Sequence, residues 1–304
     1  MKSHPYMKQI FVFLIAISIF SCGKDDDLKP VEPKYDLTKA IADLNVAYGS
    51  DKANVMDVYL PANRSVSTTK VLILLHGGAW TDLSGGDKND EQFAPIVDSI
   101  RRRLPEWAIF NLNYRLATLS GNNKFPAQEE DISKAVKFIS DNRPLYGISD
   151  KWVLGGASAG AHLAMLQSYK NGAPIRPKAV VNFFGPVDLV GLYNYYGSEG
   201  DVLTQSGMRT LLGGSPSTAA QMYANSSPIN FINAQSPPTI ILHGGNDDVV
   251  PLAQSAQLRD KLIAAGVRYE YADYLREQTH GWSDPAIWTK SLNSIQNFLT
   301  ANVP

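Results

Sequence analysis

A serine stands among small residues at Gly156-Ala157-Ser158-Ala159-Gly160, with Gly155 just before them. Residues 152–155 read as a buried strand, and a helical stretch begins near Ala161. So tight a strand–turn–helix corner crowds its neighbours, and only small residues fit. It holds the serine hydroxyl above the sheet and aims the following backbone N–H groups at whatever the hydroxyl attacks. Ser158 is therefore the candidate nucleophile; the plainer alternative is a serine capping an ordinary strand–helix turn. A serine nucleophile needs a base, and the chain has five histidines. His4 lies in the amino-terminal segment. His162 sits four residues after Ser158 on one helix, cannot easily face the hydroxyl, and reads as structural. His76 and His243 each end a strand before a glycine pair. His280, in Thr279-His280-Gly281-Trp282, lies in a polar loop before the last helix. Serines at such corners are followed along the chain by their acid and then their base, which makes His280 the candidate base. The acid must fix the imidazole tautomer and stabilise the imidazolium. Asp247 and Asp248 both follow the strand in IILHGGNDDVVP, and Asp188 lies one strand earlier. Position alone does not separate the adjacent pair.

Positioning these residues falls to strands that alternate with helices. VMDVYLP (55–61) alternates and stops at a proline. VLILLHGG (71–78), WAIFNLNYR (107–115), AVVNFFGP (179–186), TIILHGG (239–245) and VRYEYADY (267–274) are strand candidates. Continuous apolar runs stopped by glycine suit strands covered on both faces. Between them, residues 91–104, 129–142, 157–169, 250–266 and 288–300 read as helices. This alternation predicts an α/β fold: a three-layer α/β/α sandwich around a mainly parallel, twisted sheet. The stretch 188–230, rich in Gly, Tyr, Ser and Asn, has weak periodicity and reads as a lid-like excursion between two strands.

Six motifs occur in a fixed order: HGGAW (76–80), NYRL (113–116), FPAQEEDI (125–132), GASAG (156–160), HGGNDDVVP (243–251) and HG (280–281). Over about residues 45–300 the chain resembles the α/β-hydrolase superfamily. Within it, the likeness is to the group of carboxylesterases and feruloyl and acetyl-xylan esterases, with hormone-sensitive-lipase-like enzymes nearby. The resemblance implies Asp247 as the triad acid, four residues after the histidine of the late HG motif; Asp248 falls where relatives often have proline. It implies an oxyanion hole from the backbone of Gly77, Gly78 and Ala79, joined by the N–H of Ala159. Hormone-sensitive-lipase-like relatives often carry a third glycine where this chain has Ala79 and then Trp80. That departure points to the smaller esterase branch and leaves the number of donors open. His76 is expected to hold its loop, and Arg115 to brace it. Glu129, Glu130 and Asp131 open a helix, where negative charge suits the dipole. Trp80, Tyr193 and Trp282 are expected to shape the substrate pocket.

The implied activity is hydrolysis of a carboxylic ester by Ser158, Asp247 and His280, with no cofactor and no metal ion. Acetyl or feruloyl esters of plant polysaccharide, or small esters, are the expected substrates. An arylformamidase-like amidase shares the early HGG element, and a prolyl-oligopeptidase-like peptidase shares the triad order, although HGGAW suits esterases better. A binding protein on the same scaffold would have no use for a complete triad.

A formal net charge of −1 without a long basic run argues against a nucleic-acid partner. Lys2 and Lys8 precede an apolar run at 10–20 and then Ser21-Cys22-Gly23, the layout of an export signal. The run is short for a membrane-spanning helix. Cys22 is the one cysteine of the chain, which excludes a disulfide within it. SCGKDDD resembles a bacterial lipoprotein signal of the Bacteroidetes type. It implies lipidation at Cys22, export, attachment to the outer membrane and exposure at the cell surface. The expected organisation is a signal peptide at 1–21, a flexible tether at 22–40 and a catalytic domain at 41–304. Oligomeric state is not legible.

Overall fold

The computed structural model describes residues 35–170 and 174–304. Strands and helices follow as β1 (Ile41–Ala47), β2 (Val55–Leu60), β3 (Val71–Leu75), α1 (Ala94–Arg103), β4 (Ala108–Leu112), α2 (Ala127–Asp141), α3 (Arg143–Tyr146), β5 (Trp152–Ala157) and α4 (Ala159–Lys170). Then come β6 (Ala179–Phe183), α5 (Leu189–Ser198), α6 (Val202–Leu212), α7 (Ala220–Asn225), β7 (Thr239–Leu242), α8 (Ala253–Ala264), β8 (Tyr269–Tyr271) and α9 (Pro285–Asn302). The described strands form one sheet in the order β1-β2-β4-β3-β5-β6-β7-β8. β1, β2 and β4 pair antiparallel, and the run from β4 to β8 is parallel.

The unbroken apolar spelling of β3 follows from its place in the middle of this sheet. Leu72 and Leu74 point to the side covered by α1 and α9, where they join Ile96, Val97, Ile100, Phe298 and Leu299. Val71, Ile73 and Leu75 point to the other side, with Ile132, Val136 and Ile139 of α2 and Leu163 of α4. Each such side chain contributes about 1.5–3 kcal/mol on full burial. α8 joins α4 on that second side through Leu258, Leu262 and Met165. The expected three-layer α/β/α sandwich is therefore present. Its parallel register brings the carboxyl ends of β3, β5, β6, β7 and β8 to one edge of the sheet, the usual place for ligands in such folds.

Three features differ from the sequence reading. β1 is an edge strand that the pattern did not announce: four of its seven residues are exposed and its pairing with β2 is irregular between Asp43 and Val46. The end of the expected tether, 35–40, is packed. Tyr35 is buried and stacks on Tyr146 with ring centroids 5.6 Å apart, and Arg64 donates to the carbonyls of Lys39 at 2.6 Å and Pro61 at 3.1 Å. The packed chain thus begins by Tyr35 rather than at 41; the signal segment 1–21, Cys22 and the tether up to 34 lie outside the described residues. Finally, 188–230 is helical. α5, α6 and α7 bury Leu192, Tyr193, Tyr196, Met208, Leu211, Leu212 and Tyr223 in the same core that covers the α2 and α4 side of the sheet. Asp188 and Asp201 cap α5 and α6, and left-handed Gly213 ends α6. Each helix is too short for a longer window to show its period.

Candidate active site

The corner at 156–160 is as tight as its spelling requires. A Cβ on Gly156 would lie 2.6 Å from both the Leu75 carbonyl oxygen and the Gly160 backbone, and one on Gly160 would overlap the carbonyls of Leu75 and His76. Ser158 itself is left-handed, at φ 53°. That conformation costs a side-chain-bearing residue about 1–3 kcal/mol and persists only where its surroundings enforce it. Here the Ser158 N–H donates to Phe183 O at the end of β6 (2.9 Å), and the Ser158 carbonyl accepts from His162 N–H (3.0 Å).

Two loops from the later strands meet beside this corner. His280 Nδ1 lies 2.8 Å from Asp247 Oδ2. A carboxylate can only accept, so Nδ1 carries the hydrogen and Nε2 keeps a lone pair. Asp247 is buried, and its other oxygen, Oδ1, accepts from the N–H groups of Val249 (2.9 Å) and Val250 (2.8 Å). His243 Nε2 adds a fourth partner, 3.1 Å from Oδ2. Burial alone would raise the Asp247 pKa. The hydrogen bonds from His243 and His280, the His280 charge and the Val250 N–H outweigh it and hold the carboxyl well below the usual range. Asp248 is exposed and its carboxylate takes no hydrogen bond among the described residues, while Asp188 caps α5 by accepting from Val190 N–H at 3.0 Å. Geometry thus separates the aspartates that sequence position could not.

His280 rests on Phe184, ring centroids 4.5 Å apart, and Phe184 directly follows the residue whose carbonyl holds the Ser158 N–H. The end of β6 therefore touches both the serine corner and the imidazole. No hydrogen bond joins Ser158 Oγ to His280 among the described residues. Such contacts are often long in unliganded enzymes and tighten with substrate.

The early glycine loop lies against the corner. A Cβ on Gly77 would stand 3.2 Å from the Ala157 carbonyl and 3.4 Å from Ser158 Cβ. Gly78, Ala79 and Trp80 are all left-handed, at φ 100°, 48° and 62°. Among the described residues, no acceptor takes the N–H of Gly77, Gly78, Ala79 or Ala159, so these groups are free to receive a developing negative charge. The loop is held from behind. Tyr114 OH donates to His76 O (2.8 Å), and Ala117 N–H to Trp80 O (2.8 Å). Arg115, the expected brace, binds Asp131 through Nε and Nη2, both at 2.8 Å. Asp131 thus serves as a buried partner rather than a helix-end charge.

Sequence reasoning missed the support under this loop. Gly86 presses on it so closely that a Cβ there would overlap Gly77 O and stand 3.0 Å from His76 Nδ1. Lys88, two residues on, is buried and pairs with buried Asp57 of β2 at 2.8 Å. Asn111 and Asn113 bind the Lys88 backbone at 2.9 and 2.6 Å. A lysine in a polar loop gives no local sign of burial. Nor does the alternation of β2 announce it, since that places Asp57 on the face opposite Met56, Val58 and Leu60.

The three expected pocket residues are turned inward. Trp80 is 5% exposed and donates its indole N–H to His162 Nδ1 (3.2 Å). Trp282 is 9% exposed within an aromatic cluster with Phe183, Phe184 and Trp288. Tyr193 takes a hydrogen bond from Arg209 Nε (2.6 Å) and lines a cleft of about 640 Å³ on the helical insertion. Ser158, Asp247 and His280 are absent from that cleft's walls. Trp80 and Trp282 thus pack behind the loops that carry them, and Tyr193 faces the cleft on the helical insertion.

Known proteins resemble this chain in sequence and in fold. The chain is 28% identical over 241 residues to esterase LipQ of Mycobacterium tuberculosis, covering 73% of this chain and 53% of that protein. It is 28% identical over 223 residues to kynurenine formamidase avaC of Aspergillus versicolor, covering 61% and 73%. It spans about half the length of the first curated relatives it matches. Among solved structures, a bifunctional GH43-CE protein of Bacteroides eggerthii superposes with a TM-score of 0.68 at 27% identity, over 86% of this chain and 38% of that one. A truncated carbohydrate esterase from gut microbiota matches in fold with a TM-score of 0.69 at 24% identity, covering 88% and 98%. The family model BD-FAE matches residues 56–262, and the chain belongs to that family.

Proposed function

We propose that this member of the BD-FAE family is a serine hydrolase of carboxylic esters. The observation that carries the reading is half-buried His280 held 2.8 Å from buried Asp247, beside a left-handed Ser158 and the N–H groups of Gly77, Gly78, Ala79 and Ala159, which have no acceptor among the described residues. Ser158 Oγ attacks the ester carbonyl while His280 Nε2 takes its proton. Asp247 holds the tautomer and stabilises the imidazolium. The N–H groups of Gly77, Gly78 and Ala159 receive the oxyanion, and Ala79 N–H stands next to them in the same loop. His280 then protonates the leaving alcohol, and water repeats the sequence on the acyl-enzyme.

The finer reading is deacylation of plant polysaccharide, as acetyl or feruloyl esters. The likeness to the GH43-CE protein, itself described as bifunctional, supports a carbohydrate ester. The formamidase relatives favour a second reading, cleavage of an aryl formamide by the same serine. A screen of acetylated xylan, methyl ferulate, nitrophenyl acetate and N-formylkynurenine, with wild type and Ser158→Ala side by side, tests both. Ser158-dependent release of acetate or ferulate supports the first; preference for the formamide supports the second. Folded protein that neither turns over any of these nor reacts with a fluorophosphonate sinks the hydrolase reading. We further propose attachment of the exported chain to the outer membrane through lipidated Cys22; a Cys22→Ser chain that still partitions with membranes refutes it.

A further inference from the structure

Ala79 and Trp80 hold side chains in the left-handed region, next to left-handed Gly78. A turn of this kind relaxes unless something over-determines it. The backbone bonds to Thr81 and Ala117 fix its ends, but the Trp80 side chain is anchored elsewhere. Its indole N–H donates to His162 Nδ1 at 3.2 Å, with the rings edge to face at 4.9 Å and 83°. His162 is fully buried on α4, one turn beyond Ser158. Its second nitrogen, Nε2, lies 2.7 Å from the carbonyl oxygen of Ser226. A carbonyl only accepts and an indole N–H only donates, so a single neutral tautomer, Nε2–H with bare Nδ1, satisfies both contacts. Ser226 follows α7 and is itself buried.

We propose that His162 is a positioning residue of the oxyanion hole. It accepts from Trp80 and donates to Ser226, so that the turn presenting the Gly77 and Gly78 N–H groups is set by the nucleophile's helix and by the helical insertion together. The insertion is then a brace for the catalytic loop rather than a lid free of it. Tyr195 and Tyr196 of α5 donate to the carbonyls of Asp248 (3.1 Å) and Val249 (2.9 Å), so the insertion also touches the loop of the triad acid. This inference rests on the ester-hydrolase reading for its catalytic consequence. The strut itself is a matter of geometry.

The test uses the full chain with nitrophenyl acetate and a trifluoromethyl ketone, whose hydrated or serine-bound oxygen occupies the oxyanion site. Trp80→Phe keeps a ring but lacks the donor. It should lower kcat on the order of 10- to 100-fold, short of the ~10²–10³ seen when an oxyanion donor is deleted outright, and weaken the ketone in parallel while KM stays within about threefold. His162→Asn, whose amide oxygen can stand near Nδ1 and accept the indole N–H, should lose less kcat than His162→Leu, which offers no acceptor. Wild-type kcat and ketone affinity in Trp80→Phe would overturn the proposal, as would equal losses in the Asn and Leu variants. If wild type turns over no ester, the functional reading fails separately. The strut is then read from the Trp80 indole N–H resonance, identified by its loss in Trp80→Phe: it should move in His162→Leu, and an unmoved resonance refutes the contact.

Discussion

The chain spells Ile or Leu, Leu, His, Gly, Gly twice, at 74–78 and 241–245, and folds the two copies for different ends. In the first, His76 donates Nδ1–H to its neighbour Gly77 O (2.7 Å), stacks flat on Tyr114 at 4.3 Å, and buries an Nε2 that has no partner among the described residues. In the second, His243 is fully engaged: Nε2–H faces Val250 O (2.8 Å) and Asp247 Oδ2, and Nδ1 accepts from Ser255 Oγ (2.6 Å). The glycines differ as sharply. Gly78 is left-handed and needs its missing Cβ for conformation. Gly244 and Gly245 have ordinary φ and need it for space: a Cβ on either would overlap the carbonyls of Thr279, Gln278 or Arg276, in the loop that carries His280. Gly245 N–H and Asn246 N–H bind that loop at Leu275 O and Gln278 O, both at 2.9 Å. One copy bares N–H groups, whereas the other docks one catalytic loop on another. The second pair thus does more than turn the chain: its missing side chains let the Asp247 loop close on the His280 loop.

The comparison breaks first if the second copy does not deliver Asp247. Asp247→Asn should lower kcat by about 10⁴, the scale seen when a triad aspartate loses its charge, while Asp248→Asn stays near wild type. The reverse pattern in steady-state rates would reassign the acid. Next in size, Gly78→Ala meets the Gly86 backbone at 2.6 Å in a left-handed position. It should cost kcat by ~10²–10³ with little change in KM, because it displaces oxyanion donors. Gly244→Ala should act instead through packing. Overlap with the His280 loop predicts a loss of about 1–3 kcal/mol in urea unfolding, with kcat falling alongside. If Gly244→Ala spared stability, close approach would not be the reason for glycine there. His243→Gln, which removes one of several supports for Asp247, should show the smallest catalytic effect, on the order of 10-fold in kcat.

Acid sharpens the same contrast. Burial, opposed by the Gly77 carbonyl and nearby Asp87 and Asp90, lowers the His76 pKa. Burial also lowers that of His162 to about 4, against the pull of Ser226 O and with the charge of Lys170 adding to it. Both must charge on unfolding below about pH 6.5, so the unfolded chain binds more protons there and stability falls as pH drops from 6.5 towards 4. Asp247, depressed below 3.8, keeps its contribution above that value and loses it only as pH falls through its folded pKa. Between pH 6.5 and 4 the loss therefore originates around the first copy. His162→Asn should flatten the dependence of unfolding free energy on pH there by up to ~1.4 kcal/mol per unit. An unchanged slope would place the titrating groups elsewhere.

The layered fold was legible because β3, β4, β6 and β7 are apolar but for Asn111, Asn182 and Thr239, and the intervening helices keep their period. Short helices broken by caps hid the nature of 188–230, and an edge strand with half its side chains in water hid β1. Ser158 was legible from the small residues that its corner demands, and Gly77 and Gly78 from the spelling of their loop. The packing of Trp80, Tyr193 and Trp282 was not legible, because an aromatic residue near a site reads the same whether its ring faces a ligand or the core.

By itself, then, the sequence determined what depends on neighbours along the chain: which serine can occupy a left-handed corner, where strands stop, and which residues must lack a Cβ. The tertiary structure alone decided the partners. It joined His280 to Asp247 across 33 residues and Trp80 to His162 across 82, and set Lys88 against Asp57 across 31. Steric demands of a tight turn act within a few bonds and leave a local spelling. A buried hydrogen bond instead depends on which distant loops the sheet brings to its carboxyl edge, and adjacent residues that look alike in the sequence point in opposite directions there.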